Sequence, residues 1–209
     1  MNIELANIGK RFKQEWIFKN LSTSFSKGVY GIIGSNGSGK STLLKIISQA
    51  ELPTEGQVYF KEIDNQYIET EKAYKALSFV APYQELPEQL TLNELLKFHT
   101  HFKAFSNHIS LDQFADTIYL SEAKHKQIGQ FSSGMKQRLK LGLALLGNSP
   151  IILLDEPCSN LDSMGVEFYH SLLQKNRNEK LIIIASNEVE KEVPNPEKLI
   201  HISDFKDFK

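Results

Sequence analysis

The sequence contains a single cysteine, no long apolar run and no excess of charge of either sign. One cysteine, Cys158, excludes an intramolecular disulfide framework, which agrees with a reducing compartment. The apolar runs, such as residues 151–154 and 181–185, have the length of strands. A membrane-spanning helix requires roughly 20 apolar residues. We therefore expect that the chain itself crosses no membrane.

Two further absences restrict the location and the partners. Residues 1–10 alternate polar and apolar side chains and lack the basic-then-apolar plan of a signal peptide. We therefore expect a cytoplasmic location. The 24 basic and 25 acidic residues nearly cancel, so the overall charge gives no indication of nucleic-acid binding. No nucleic-acid partner is expected.

The hydrophobic pattern predicts an α/β fold. Residues 29–33 form a continuous apolar run, which is followed by a glycine-rich turn and a helical run over residues 41–49. Further continuous apolar strands, typical of a parallel sheet that is buried on both faces, are predicted at residues 77–80, 151–154, 181–185 and 199–202. A small antiparallel sheet is predicted from residues 2–8, 16–25 and 56–60.

A helical insertion is predicted over residues 86–130. Thr91 with Glu94, and Ser110 with Gln113, each form a capping-box pattern ahead of apolar residues spaced by three and four. Residues 1–85 and 131–209 then supply the antiparallel β-subdomain and the α/β core. We expect one domain over residues 1–209.

The clearest motif is the sequence Gly-Ser-Asn-Gly-Ser-Gly-Lys-Ser-Thr, which matches the pattern G-x-x-x-x-G-K-[ST] between a strand and a helix. Its glycines let backbone N–H groups turn onto phosphate oxygens. Lys40 can supply positive charge to the outer phosphates, and the Ser41 hydroxyl can ligate Mg²⁺. A chance glycine-rich turn is the alternative. We predict that ATP with Mg²⁺ is bound here by Gly34, Ser35, Asn36, Gly37, Ser38, Gly39, Lys40, Ser41 and Thr42.

Two acidic residues stand directly after the strand predicted at residues 151–154. The carboxyl ends of strands are where open α/β sheets bind ligands. Asp155 would hold Mg²⁺, and Glu156 would act on a water molecule. The alternative is a solvated turn.

A second anion site is predicted at the start of a long helix. The sequence Phe-Ser-Ser-Gly-Met-Lys-Gln-Arg of residues 131–138 places Ser132 and Gly134 at the N-terminus of that helix. Helix N-termini attract anions. An ordinary helix cap is the alternative.

In order and spacing these motifs resemble the ATP-binding cassette (ABC) ATPases, particularly the stand-alone nucleotide-binding subunits of ABC transporters. Residues 34–42 resemble the Walker A motif of that family, residues 151–156 its Walker B motif and residues 131–135 its signature motif. A fourth motif, the D-loop at the dimer interface, is matched by Ser159, Asn160, Leu161 and Asp162. The resemblance implies a P-loop NTPase core and a head-to-tail dimer, in which residues 34–42 of one subunit and Ser132 and Gly134 of the other enclose each ATP.

The resemblance also assigns single residues. Phe12, with Trp16 as a second candidate, corresponds to the aromatic residue that stacks on adenine. The switch histidine of the family is replaced by Asn187, which can bond a phosphate but carries no titratable proton, so slower or differently tuned hydrolysis is expected. The Mg²⁺-ligating glutamine of the family would correspond to Gln84, two positions beyond Pro82, which the simplest alignment places there. A solvated loop glutamine is the alternative. The signature motif also departs from Leu-Ser-Gly-Gly-Gln.

The function implied is an ATP-hydrolysing subunit of an ABC transporter. It would act as a homodimer or heterodimer of ATPase subunits on a separate membrane permease, at the inner face of the cell membrane. Two alternatives stay open: a soluble ATPase of an assembly machine of the iron–sulfur cluster type, and a weakly hydrolysing ATP-binding module.

Overall fold

A computed structural model describes residues 1–206 apart from residues 63, 65, 107 and 108. The chain divides into two compact units. The first unit contains Met1–Phe79, Pro150–Glu156 and the chain from Arg177 on, and the second contains Val80–Ser149 and Pro157–Asn176. The predicted single domain, with residues 86–130 as its helical part, stays a prediction.

Strands dominate the first unit, and helices form the second. The strands are β1 (Asn2–Phe12), β2 (Glu15–Phe25), β3 (Gly28–Ile33), β4 (Glu55–Lys61), β5 (Tyr67–Ile68), β6 (Leu77–Val80), β7 (Ile151–Asp155), β8 (Leu181–Ser186) and β9 (Lys198–His201). The helices are α1 (Lys40–Ile47), α2 (Thr70–Ala73), α3 (Leu92–Thr100), α4 (Leu111–Thr117), α5 (Ser133–Leu145), α6 (Ser163–Asn176) and α7 (Val189–Glu192). Short 3₁₀ helices occupy Tyr74–Ala76, Ser121–Ala123, Ile128–Gln130 and Ile202–Phe205.

The five-stranded sheet has the order β6-β7-β8-β3-β9. Strands β7, β8, β3 and β9 pair in parallel, and every residue of β3, β7 and β8 is buried. Burial on both faces explains why these strands read as continuous apolar runs. The predicted α/β class is confirmed. Parallel pairing also brings the carboxyl ends of β3, β7 and β8 to one edge of the sheet.

The four-stranded sheet is antiparallel and has the order β2-β1-β4-β5. Strand β1 extends four residues beyond the predicted run and meets β2 through a tight turn in which Lys13 has a left-handed φ of 55°. The prediction missed β5, because a two-residue strand carries no periodicity of its own. The small antiparallel sheet itself is confirmed.

Both predicted capping boxes are present in the second unit. The Thr91 side chain accepts from the Glu94 backbone N–H while the Glu94 carboxylate accepts from the Thr91 N–H, and Ser110 and Gln113 repeat the arrangement. These reciprocal bonds satisfy backbone groups that a helix start leaves unpaired. The predicted helices therefore begin where the caps indicated. In the part of the chain that the structure describes, no helix is both long enough and apolar enough to cross a membrane.

Candidate nucleotide-binding site

The glycine-rich loop connects buried strand β3 to helix α1. Gly37 and Gly39 have φ angles of 74° and 110°, values that side chains with a Cβ rarely adopt. A Cβ on Gly39 would also lie 2.5 Å from the Cγ2 atom of Ile17. These positions require glycine, so the loop has one specific backbone conformation ahead of the helix N-terminus.

Lys40 is held inside this loop. Its side chain is buried, and its Nζ donates hydrogen bonds to the carbonyl oxygens of Gly34, at 2.9 Å, and Ser35, at 3.1 Å. The buried hydroxyl of Ser38 has no hydrogen-bond partner within the described chain. A buried polar atom without a partner costs about 1–3 kcal/mol. The loop thus presents a fixed positive charge and an unsatisfied hydroxyl, which suit an anionic ligand.

Asp155 lies at the end of β7, and the Ser41 side chain hydrogen-bonds to it. Asp155 is 2% exposed, and its Oδ1 has no partner among the described residues. The pKa of this carboxyl lies above its ordinary value, chiefly because of burial. The hydrogen bond from Ser41 opposes that effect, whereas the charge of Glu156 adds to it. Burial of this ionised carboxylate is unfavourable, and one of its oxygens is available. A cation bound there would offset the cost of burial.

Mg²⁺ fits these donors. It prefers oxygen ligands and is bound in nucleotide sites by one or two protein oxygens together with phosphate oxygens and waters. The Ser41 hydroxyl and Asp155 Oδ1 offer such a pair. No group of three or more His, Cys, Asp or Glu side chains in the described residues could hold a metal by itself. A cation here would therefore depend on the ligand's phosphates.

Glu156 follows with a left-handed φ of 46°. For a non-glycine residue this conformation is strained, and it is fixed by a 2.9 Å hydrogen bond from the Glu156 N–H to the Ala185 carbonyl of β8. The side chain is half-buried and lines a cleft of about 370 Å³. Its other lining residues are Phe12, Ile17, Asn36, Gly37, Ser38, Gly39, Lys40, Ser41 and Thr42. The strained turn thus directs a carboxylate into the cleft of the glycine-rich loop.

Of the two aromatic candidates, Phe12 lines this cleft and is 47% exposed. Trp16 is not among its lining residues. Both rings face cations: the Trp16 ring faces the Lys19 ammonium at 4.6 Å and the Arg11 guanidinium at 5.2 Å, and the Phe12 ring faces the Lys10 ammonium at 4.9 Å. An exposed ring beside the loop can stack on a planar base. The geometry therefore favours Phe12. Sequence reasoning missed Ile17, which no motif distinguishes from other strand residues.

Asn187 follows β8, the strand adjacent to β3, and contacts the glycine-rich loop. Its Nδ2 donates a 3.0 Å hydrogen bond to Oδ1 of Asn36. The side chain is exposed. Its amide is therefore held at the loop while remaining accessible to a ligand.

The remaining predicted residues lie in the second unit. Ser132 caps α5, accepting from the Met135 N–H at 3.2 Å. A Cβ on Gly134 would lie 3.1 Å from the Asn160 carbonyl, so the signature segment and the D-loop are in close contact. From the D-loop, Asp162 Oδ1 accepts from the Gly165 N–H of helix α6 at 2.8 Å. The signature segment therefore lies against the D-loop, and each segment caps the helix that follows it.

Gln84 bonds within its own loop: its Oε1 accepts from the Ala81 N–H at 3.0 Å. Lys140 of α5 reaches the same loop, donating to the carbonyls of Ala81, at 3.3 Å, and Pro82, at 3.4 Å. Gln137 of α5 donates to the Pro157 carbonyl at 2.8 Å. No motif assigns a role to Lys140 or Gln137, yet both side chains hydrogen-bond helix α5 to the backbone of neighbouring segments.

The fold and the glycine-rich loop define a P-loop nucleotide-binding protein, and comparison with known proteins gives the family. Residues 18–159 match the family described as ABC transporter. An uncharacterized ABC transporter ATP-binding protein of Bacillus subtilis, YybJ, is 34% identical over 197 residues, covering 90% of this chain and 86% of that protein. The chain therefore belongs to the ABC transporter ATPase family.

Other similar proteins are also ATP-binding proteins of transporters. The lantibiotic transport ATP-binding protein SrtF of Streptococcus pyogenes is 26% identical over 207 residues, covering 99% of this chain and 86% of that protein. The structure of the Methanocaldococcus jannaschii cassette MJ0796, a dimer in a post-hydrolysis state with ADP and Pi, has a TM-score of 0.79. That match is 26% identical and covers 95% of this chain and 93% of that one. The chain is thus an ATP-binding, ATP-hydrolysing protein of the transporter type.

Proposed function

We propose that this chain powers a transporter through a separate membrane subunit, using Mg²⁺-ATP bound between two ATPase subunits. The observation that carries the proposal is the cleft of the first unit. Lys40, Ser41 and Glu156 line it. The Asp155 carboxylate hydrogen-bonds to Ser41, while its Oδ1 has no partner among the described residues. A triphosphate in this cleft would satisfy the Ser38 hydroxyl as well. This arrangement serves phosphoryl transfer by positioning and charge stabilisation.

Each residue has a distinct role in the proposed reaction. The Lys40 ammonium would exchange its carbonyl partners for the outer phosphates. Glu156 would accept the proton of the attacking water, or orient that water, from the strained turn that holds it in the cleft. The Ser41 hydroxyl and Asp155 would hold Mg²⁺, which when bound neutralises charge on the phosphates. Asn187 would donate its amide hydrogen bond to the terminal phosphate.

We further propose a head-to-tail dimer of two such subunits, identical or closely related. The N-terminus of α5, with Ser132 and Gly134, would contact the phosphates held by the partner, and residues 159–162 would lie at the interface. The dimeric MJ0796 cassette, with its ADP and Pi, supports this arrangement by similarity. ATP would close the dimer, and hydrolysis would open it.

The first test is Glu156→Gln, which keeps the side-chain shape but removes the base. Steady-state phosphate release should fall about 10²- to 10⁴-fold, while Mg²⁺-ATP should still convert monomer to dimer in light scattering. Glu190→Gln, an exposed glutamate after β8, is the matched control and should keep the wild-type rate. If the wild type releases phosphate no faster than buffer alone, the result would support the alternative of a weakly hydrolysing ATP-binding module. Unchanged turnover in Glu156→Gln would remove Glu156 from the mechanism.

The membrane partner is tested separately. The chain should co-purify with a polytopic membrane protein encoded beside it, and should reside at the inner face of the membrane only when that protein is present. Reconstitution of the pair in liposomes should raise the rate of ATP hydrolysis. A soluble scaffold as the neighbour and binding partner would instead support the assembly-machine alternative, which the transport ATP-binding relatives do not favour.

A further inference from the structure

Ser186 joins two parts of the chain on either side of Asn187. It is the last residue of β8, is fully buried and pairs with Ile33 immediately before the glycine-rich loop. Its hydroxyl donates a 2.5 Å hydrogen bond to Oε2 of Glu192 and accepts a 2.9 Å hydrogen bond from the Glu188 N–H. This one hydroxyl therefore connects the end of β8, before Asn187, to Glu188 in the turn and to Glu192 in helix α7.

Glu192 is an unusual residue to find at this place. It is 3% exposed, although a buried carboxylate is costly unless it is well bonded. Helix α7 is only four residues long, and its N-cap, Glu188, makes no side-chain capping bond. So short a helix has little stability of its own. The distance to Ser186 is that of the strong hydrogen bonds that carboxylates accept, so this contact can determine where α7 and the preceding turn lie.

The turn so fixed carries Asn187, whose amide donates to Asn36 of the glycine-rich loop at 3.0 Å. Asn187 is exposed, and an exposed side chain on an unsupported turn would sample many orientations. We propose that Glu192 is a positioning residue for hydrolysis, which through Ser186 holds Asn187 against the phosphate-binding loop. This inference rests on the proposed function of that loop.

Two substitutions separate this role from simple packing. Glu192→Leu removes the acceptor, whereas Glu192→Gln keeps an oxygen that can accept from Ser186. We expect Glu192→Leu to lower kcat about tenfold or more, equivalent to about 1.4 kcal/mol, with the Kd for ATP nearly unchanged. Glu192→Gln should restore most of the rate. Glu190→Leu, at an exposed glutamate of the same helix, is the matched control and should behave as the wild type.

The decisive comparison is made in an Asn187→Ala background, where Glu192→Leu should cause no further loss, because the residue that it positions is gone. Should Glu192→Leu not fold, Ser186→Ala removes the same bond from the other side and should give the same result. The proposal is overturned if Glu192→Leu and Ser186→Ala keep the wild-type kcat, or if kcat and ATP affinity fall together. It is also overturned if Glu192→Gln fails to restore the rate, or if Glu192→Leu lowers kcat further in the Asn187→Ala background. A wild-type chain that does not hydrolyse ATP would refute the proposed function and this inference with it.

Discussion

The side-chain amide of Asn187 donates a hydrogen bond to the side-chain oxygen of Asn36, 3.0 Å away in the glycine-rich loop. The two residues lie 151 positions apart in the sequence and meet because β8 and β3 are adjacent and parallel. An asparagine in this place can donate a hydrogen bond to a phosphate, but it cannot exchange a proton near neutral pH.

Asn187→His should raise kcat for ATP hydrolysis without a large change in ATP affinity, because the imidazole keeps a donor and adds a titratable nitrogen. We expect a gain of up to about tenfold. The rate of phosphate release at saturating Mg²⁺-ATP, followed from pH 6 to 9, measures it. The control is Asn178→His, at an exposed asparagine that does not line the cleft. An equal or lower rate in Asn187→His would show that the asparagine does not limit turnover.

Lys40→Ala should abolish ATP binding or turnover, because the triphosphate loses its buried positive charge. The same substitution removes the two hydrogen bonds that Lys40 gives to the carbonyls of Gly34 and Ser35. Binding is measured by titration with a fluorescent ATP analogue, and folding by circular dichroism. Lys27→Ala, at an exposed lysine, serves as the control. Wild-type affinity and rate in Lys40→Ala would contradict the assignment.

Asp155→Asn should stabilise the chain in the absence of nucleotide and abolish its response to Mg²⁺-ATP. Burial is the main cause of the raised pKa of Asp155. A raised folded-state pKa means that ionisation opposes folding above the ordinary pKa of the carboxyl, and that this cost vanishes in acid. At pH 7 the midpoint of thermal unfolding should therefore rise, by about 2–4 °C for each kcal/mol relieved.

The same scan with Mg²⁺-ATP should show a large rise in the unfolding midpoint of the wild type and little change for Asp155→Asn. A ligand that binds the folded state stabilises it more, the higher its concentration is relative to its Kd. Asp204→Asn, at an exposed carboxylate, should match the wild type in both scans. A lower unfolding midpoint for Asp155→Asn without nucleotide would mean that the Asp155 carboxylate stabilises the apo fold.

Local patterns predicted the elements whose signals lie within a few residues. The apolar run of β3, the glycines of the loop and the capping box at Thr91 each depend on neighbours in sequence, and each is present in the structure. Helix α1 ends earlier than predicted, at Ile47, because Gln49 takes a left-handed φ of 66°. Amphipathic spacing continues through such a residue, so the pattern alone could not mark this end.

Contacts between distant segments could not be predicted in this way. Lys140 lies on a helix face like any other lysine, yet it bonds the Ala81 carbonyl 59 residues earlier. Glu192 carries no motif, yet it is buried and accepts a hydrogen bond from Ser186 at the end of β8. Sequence patterns named the residues expected to meet the nucleotide, whereas the residues that hold them in place emerge only from the packed chain.

Lys180 should make stability rise with pH in an alkaline window. This residue directly precedes β8 and is 5% exposed; burial lowers the pKa of its ammonium to about 8, against the opposing charge of Glu179. Between about pH 8 and the ordinary value of 10.5 the unfolded chain holds this proton and the folded chain does not, so the free energy of unfolding increases with pH there.

The Lys180→Met variant carries no such proton. The stability of the wild type relative to Lys180→Met should therefore increase by about 3 kcal/mol across that window, measured by urea unfolding at half-unit pH intervals. Lys27→Met, at an exposed lysine, should show no comparable trend. A stability difference between the wild type and Lys180→Met that stays constant with pH would mean that Lys180 remains charged in the folded protein.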